Sequence, residues 1–174
     1  MAAVLFMVHH GLVKSALFVA AGTGWRLGGS YRLDRLGGFA RSHAWFAALF
    51  LVLAFSLAGF PPSSGFAAKL AAILAALDGG YGWIAATMVA TGLFTLYSMV
   101  KIWNEAFWKP APEPASHREL GRGERILLHA PLAWFAAAAL AVGLGWSPAL
   151  ASSTQAGMQD RDAYVQAVLG GKSR

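Results

Sequence analysis

An all-α, polytopic transmembrane bundle of about five helices is predicted by three observations. Hydrophobic residues fill 57% of 174 positions and charged residues only 13%, against about 25% charge in ordinary soluble domains. The apolar residues collect into runs near the roughly 20 residues a helix needs to cross hydrocarbon. The basic residues sit in the joints between those runs, where membrane flanks carry them. The formal charge of +6 therefore does not point to nucleic acid, since no soluble basic face exists to hold it. The absence of cysteine removes any disulfide framework, thiol nucleophile or thiolate metal site. No phosphate-binding loop, dinucleotide fingerprint, nucleophile elbow or metalloprotease helix occurs, so soluble-enzyme chemistry and a bound cofactor are not expected.

The first helix covers about 3–22. Met1 is followed at once by apolar residues, and the run then holds two histidines and a lysine. That is not a signal peptide, and it reads as a chain that starts inside a helix. A polar loop follows at 25–42, with Arg26, Arg32, Arg35 and Arg41 against Asp34. The second helix runs over 43–60. Pro61 and Pro62 end it, because neither has an amide hydrogen and each pushes the preceding residue out of helical space, and Gly65 completes the break.

The next helix, 63–77, has an apolar stretch of about 18 Å at 1.5 Å per residue, too short to span alone. It either starts at the surface or forms half of a discontinuous helix whose break is buried in protein, and the second alternative is preferred. After Asp78-Gly79-Gly80 a helix over 82–108 is long enough to span, and a helix over 126–144 follows a proline-rich charged loop at 109–125. These make a membrane unit of 1–148. The remainder, 149–174, is a polar tail whose residues 160–169 suit a short amphipathic helix. Three helices separate the two basic loops, which puts them at opposite ends with four Lys or Arg each, so charge does not choose an orientation.

Lys14 lies near the middle of the first helix, where an ammonium costs a few kcal/mol by insertion scales and so implies a polar cavity or a partner. His10 precedes it by four residues on the same face, with His9 beside them. Together they suit a proton relay, since a histidine changes protonation near neutrality. The alternatives are a Lys14 that snorkels to an interface and histidines that are packed core residues. Zinc is disfavoured by two adjacent histidines without a carboxylate or thiolate. Lys69 falls in the first turns of the short helix, where the positive end of the dipole disfavours a cation. That placement suits a group that must release its proton, unless the proline turn is at the surface. Lys101 and Glu105, spaced i, i+4 beside tryptophans, read as an interfacial ion pair, and His129 as interfacial.

Two motifs carry a family resemblance. His9-His10-Gly11-Leu12-Val13-Lys14-Ser15-Ala16-Leu17-Phe18 resembles the tenth transmembrane helix of the proton-conducting subunits shared by Mrp-type cation/proton antiporters and respiratory complex I. Leu57-Ala58-Gly59-Phe60-Pro61-Pro62-Ser63-Ser64-Gly65-Phe66-Ala67-Ala68-Lys69 resembles the start of that family's broken twelfth helix. With Tyr97 to Trp108 and the tail from Asp162 to Gly170, the likeness is strongest to the D-type branch of the Mrp subunits and covers essentially the whole chain.

The resemblance implies helices ten to fourteen of a fourteen-helix subunit in a bacterial plasma membrane, with Lys14 on a hydrated polar axis and Lys69 ending a half-channel. It implies the C-terminal part of an antiporter subunit that moves protons against Na+ or K+ beside other hydrophobic subunits. It does not imply an enzyme. The alternative it leaves open is a membrane-arm subunit of an NADH-quinone oxidoreductase or a membrane-bound hydrogenase.

Overall fold

In the computed structural model, which describes residues 2–111 and 120–169, every regular element is helical among the described residues. The order is α1 (Ala2–Gly28), a 3-10 turn at Leu33–Arg35, a one-turn helix α2 (Phe39–Ser42), α3 (Ala44–Ala58), α4 (Ser64–Asp78), α5 (Gly82–Trp103) with a π-helical turn at Asn104–Trp108, and α6 (Arg122–Leu169). Segments long and apolar enough to cross a membrane are Ala2–Arg35, Gly82–Trp108 and Arg122–Gly145. The chain reads as an integral, multi-pass membrane protein.

Neither α3 nor α4, at 15 residues each, is long enough to cross comfortably. They share one crossing. α1 packs along both, with Gly24 facing Phe46 of α3 and Leu5 joining Ala67, Ala68 and Ala71 of α4. α5 runs back along both, with Gly92 beside Lys69 and Phe107 beside Phe50. The break between them begins at Gly59, which ends α3 at φ 96°, a left-handed conformation that favours glycine. Phe60, Pro61 and Pro62 then carry the chain across, and Ser63 precedes the first turn of α4.

A shared crossing corrects the expected placement of the two basic loops. Only two crossings separate them, one made by α3 with α4 and one by α5, so they lie at the same end. There the Gly38 amide donates to Lys109 O at 2.6 Å, Lys109 Nζ reaches Asp34 O at 3.3 Å, and Arg26 Nε meets Glu124 Oε1 at 3.1 Å. The central part of the second loop, 112–119, lies outside the described residues.

Two further expectations change. Glu105 pairs with Lys109 at 2.7 Å rather than with Lys101. Lys109 is already folded back over the first loop, which brings its amine to that carboxylate, and Lys101 stays exposed. The last helix does not stop near 144 but continues as one element to Leu169. The amphipathic character expected of that continuation, and the residues after 169, lie outside the described side chains.

The core at the loop end is aromatic. Phe107 stacks on Phe50 and on Trp103, each with ring centroids 4.7 Å apart, and Phe46 and Phe39 close the cluster against Leu27, Leu36 and Leu132. Beyond it the helices approach through small residues. A Cβ on Gly65 would run into the Ser56 carbonyl, and one on Gly143 of α6 into the Pro62 carbonyl. The helix break is thereby clamped between α1, α3 and α6.

Candidate proton-handling site at the helix break

The clamp brings polar side chains into an otherwise apolar interior. α1 is buried along the row Leu5, His9, Val13, Ala16 and Ala20, the 3.6-residue period of one face. Within that face His9 is 2% exposed, and its Nδ1 shares a 2.8 Å hydrogen bond with Ser64 Oγ of α4. Ser64 Oγ lies 3.4 Å from Ser56 Oγ of α3. A buried polar group needs such partners, since losing one costs about 1–3 kcal/mol. The three side chains thus tie α1, α3 and α4 together across the break.

Lys69 is half-buried on α4, one turn and a half beyond the break. Its side chain reaches back across the gap, and Nζ donates to Leu57 O at 2.9 Å and to Ala58 O at 2.8 Å. These carbonyls belong to the last turn of α3, which has no helical amides to bond them. The sequence placed this amine only against the unfavourable positive end of α4. The fold sets it on the negative end of α3, which offsets that cost. Packing there is tight, since a Cβ on Gly59 would meet Lys69 Cδ at 2.9 Å.

From Lys69 a groove of about 180 Å³ opens between α1, α4 and α5, lined by Phe6, His9, His10, Leu57, Thr87, Met88, Thr91, Gly92 and Thr95. On its other side the same amine borders a second, mostly apolar groove containing Phe60, Phe66, Leu70 and Leu93. His10 is half-buried and stacks on Phe6 at 5.7 Å. Lys14 is one turn further along α1 and is exposed, next to exposed Gly11, Ser15 and Phe18.

Of the residues singled out from sequence, the structure gathers His9, His10 and Lys69 around one groove with the Pro61, Pro62 and Gly65 break beside it. Lys14 is not brought into that groove. His129 is half-buried near the loop end, where its Nδ1 donates to Arg125 O at 2.7 Å. Sequence reasoning passed over Ser56, Ser64 and the α5 threonines. The four-residue spacing of Thr87, Thr91 and Thr95 in an apolar run was the available signal for the last. Among the described residues no cluster of metal-ligating side chains occurs.

A family model described as NADH:quinone oxidoreductase/Mrp antiporter, transmembrane, matches residues 1–95. The D subunit of a Na+/H+ antiporter from Alkalihalophilus pseudofirmus is 38% identical over 169 residues, covering 96% of this chain and 34% of that protein. Its counterpart from Bacillus subtilis is 33% identical over 172 residues with the same coverages. The N subunit of NADH-quinone oxidoreductase from Desulforudis audaxviator is 30% identical over 118 residues, covering 67% of this chain and 23% of that protein. The solved structure of the Mrp complex from Dietzia sp. DQ12-45-1b is similar with a TM-score of 0.71 and 32% identity, over 97% of this chain and 39% of the matched chain. This chain therefore spans about a third of the length of the antiporter relatives it matches.

Proposed function

This chain belongs to the NADH:quinone oxidoreductase/Mrp antiporter transmembrane family, and from that premise we propose that it is the C-terminal part of a proton-translocating subunit of a monovalent cation/proton antiporter. The observation that carries the reading is Lys69. Its amine sits inside a broken crossing, bonded to the carbonyl end of α3 and bordering a groove with two histidines. A basic group held there by backbone carbonyls is an ion-pathway feature, since ionisable side chains within membrane spans are costly and mark such pathways.

In this reading protons arrive by Lys14 on the exposed face of α1, pass His10 one turn away, and reach Lys69. Lys69 then passes them on, in exchange for Na+ or K+ moved elsewhere in the assembly. No covalent catalysis is involved. The partners are the other hydrophobic subunits of the antiporter and the lipid of a bacterial plasma membrane. The paired basic loops face the cytoplasm, because Lys and Arg concentrate at that end and none occurs between Lys69 and Lys101 across the opposite turn.

Replacing Lys69 with Ala in the native assembly and measuring cation-dependent proton flux in membrane vesicles tests the reading. The expected loss is on the order of a hundredfold or more, the scale on which positioned proton-transfer groups act. Flux at the wild-type level rejects it. The second reading, a membrane-arm subunit of an NADH-quinone oxidoreductase, is favoured by the relatives from that enzyme. It is disfavoured by the antiporter relatives covering 96% of the chain, α6 included. Copurification decides: flavin and iron-sulfur subunits support the oxidoreductase, small hydrophobic subunits alone the antiporter.

A further inference from the structure

α5 is apolar for most of its length, yet Thr87, Thr91 and Thr95 recur on it at every fourth residue and all three line the groove that holds Lys69 and His10. Residues four apart stack on one face of a helix, so the hydroxyls form a ladder. Each commits its proton to the backbone of α5. Thr87 Oγ1 donates to Ile84 O, Thr91 Oγ1 to Thr87 O and Thr95 Oγ1 to Thr91 O, all at 2.8 Å. A hydroxyl so engaged offers its surroundings only lone pairs.

Such back-bonding alone is ordinary, and Ser98 does the same toward Phe94 O without lining the groove. What sets the three threonines apart is where the acceptors stand. Thr87 and Thr91 are exposed and Thr95 half-buried, so the oxygens are reachable from the groove. The other lining residues without titratable groups, Phe6, Leu57, Met88 and Gly92, have no strong side-chain acceptor to offer. The ladder also passes close to the amine, since a Cβ on Gly92, next to Thr91, would lie 3.7 Å from Lys69 Nζ. A wall of acceptors opposite an amine and an imidazole suits species that only donate, or that must be oriented to donate: an ammonium, a hydronium, or water between them.

We propose that Thr87, Thr91 and Thr95 are positioning residues of the proton path, ordering the water through which a proton crosses the groove between His10 and Lys69. The step is proton transfer alone. An N–H bond of the His10 imidazolium breaks, an N–H bond of the Lys69 amine forms, and the water between them takes one proton and gives up another. This inference rests on the reading of Lys69 as a proton carrier, and the test separates the two.

Cation-dependent proton flux is measured in vesicles carrying the native assembly, normalised to subunit content, for T91S, for the combined T87V, T91V and T95V variant, and for K69A. Valine keeps the branched shape and removes the lone pairs. The combined valine variant is expected to lose flux on the order of a hundredfold, as misplaced reacting groups do, and T91S to stay near wild type. Wild-type flux in the valine variant with a silent K69A overturns the ladder and leaves the Lys69 reading standing. Wild-type flux in K69A removes both.

A second measurement does not depend on the valine variant assembling. The chain itself has no cysteine; with any cysteines of the rest of the assembly replaced, T91C and F94C, the latter at an exposed position outside the groove, are compared for labelling by a small water-soluble methanethiosulfonate. Because the thiolate is the reacting form and needs water to exist, T91C is expected to label at least about tenfold faster. Equal rates overturn the proposal.

Discussion

The two ends of this bundle solve the problem of packing helices in lipid by opposite means. At the loop end, Phe39, Phe46, Phe50, Trp103 and Phe107 fill the space between α1, α3 and the turn after α5 with stacked and edge-on rings. At the helix break, the contacts are Ala67, Ala68, Ala71, Gly65 and Gly143, with Ser56, Ser64 and His9 hydrogen-bonded among them. Lipid supplies little hydrophobic drive for helices to associate, so bulk dispersion and close backbone approach are the available means. The aromatic end uses the first and gathers rings that carry no titratable group. The break uses the second, and close approach is what lets side chains from α1, α3 and α4 reach one another. Ring packing dominates one end and hydrogen-bonded side chains the other.

The sharpest way to break this contrast is Gly65→Val. Its side chain would collide with the Ser56 carbonyl as well as with the His9 ring, and backbone cannot yield as a rotamer does. The protein is expected to vanish from the membrane fraction by immunoblot. Normal accumulation would show that the break is not clamped. Phe107→Ala is next: removing a ring shared by Phe46, Phe50 and Trp103 is expected to cost about 3–5 kcal/mol by the scale of core truncations. It should lower the thermal midpoint of the detergent-solubilised assembly and leave flux per folded subunit unchanged. A flux defect without a stability defect would erase the division between the ends.

Ser64→Ala has the smallest effect on stability. It leaves His9 Nδ1 without its partner, at about 1–3 kcal/mol for an unsatisfied buried group and toward the low end in membrane interiors, where such bonds average about 0.6 kcal/mol. Flux is expected to fall by more than the accompanying loss of protein. A variant that loses only stability would make the His9 and Ser64 bond a structural tie.

Elements that depend on local chemistry could be read from the chain. Apolar runs give helices because a backbone in lipid must satisfy its own hydrogen bonds. Pro61 and Pro62 interrupt one of them because proline has no amide to give, and Lys14, Lys69 and the histidines stand out because charge is costly in hydrocarbon. The site was legible to the extent that its members are conspicuous. Ser56, Ser64 and the threonines are not, since a hydroxyl in a helix can bond its own backbone anywhere.

Composition and periodicity were thus enough for the helical class, the break and the titratable residues, all of which follow from how a few neighbouring residues meet the bilayer. Which helices share a crossing was settled by packing between distant segments. That decision moved both basic loops to one end, turned Glu105 toward Lys109, and laid the Lys69 amine on the carbonyls of α3. Each depends on the spatial order of elements that lie far apart along the chain. No local pattern encodes that order, because one helix face can bury itself equally well against more than one neighbour.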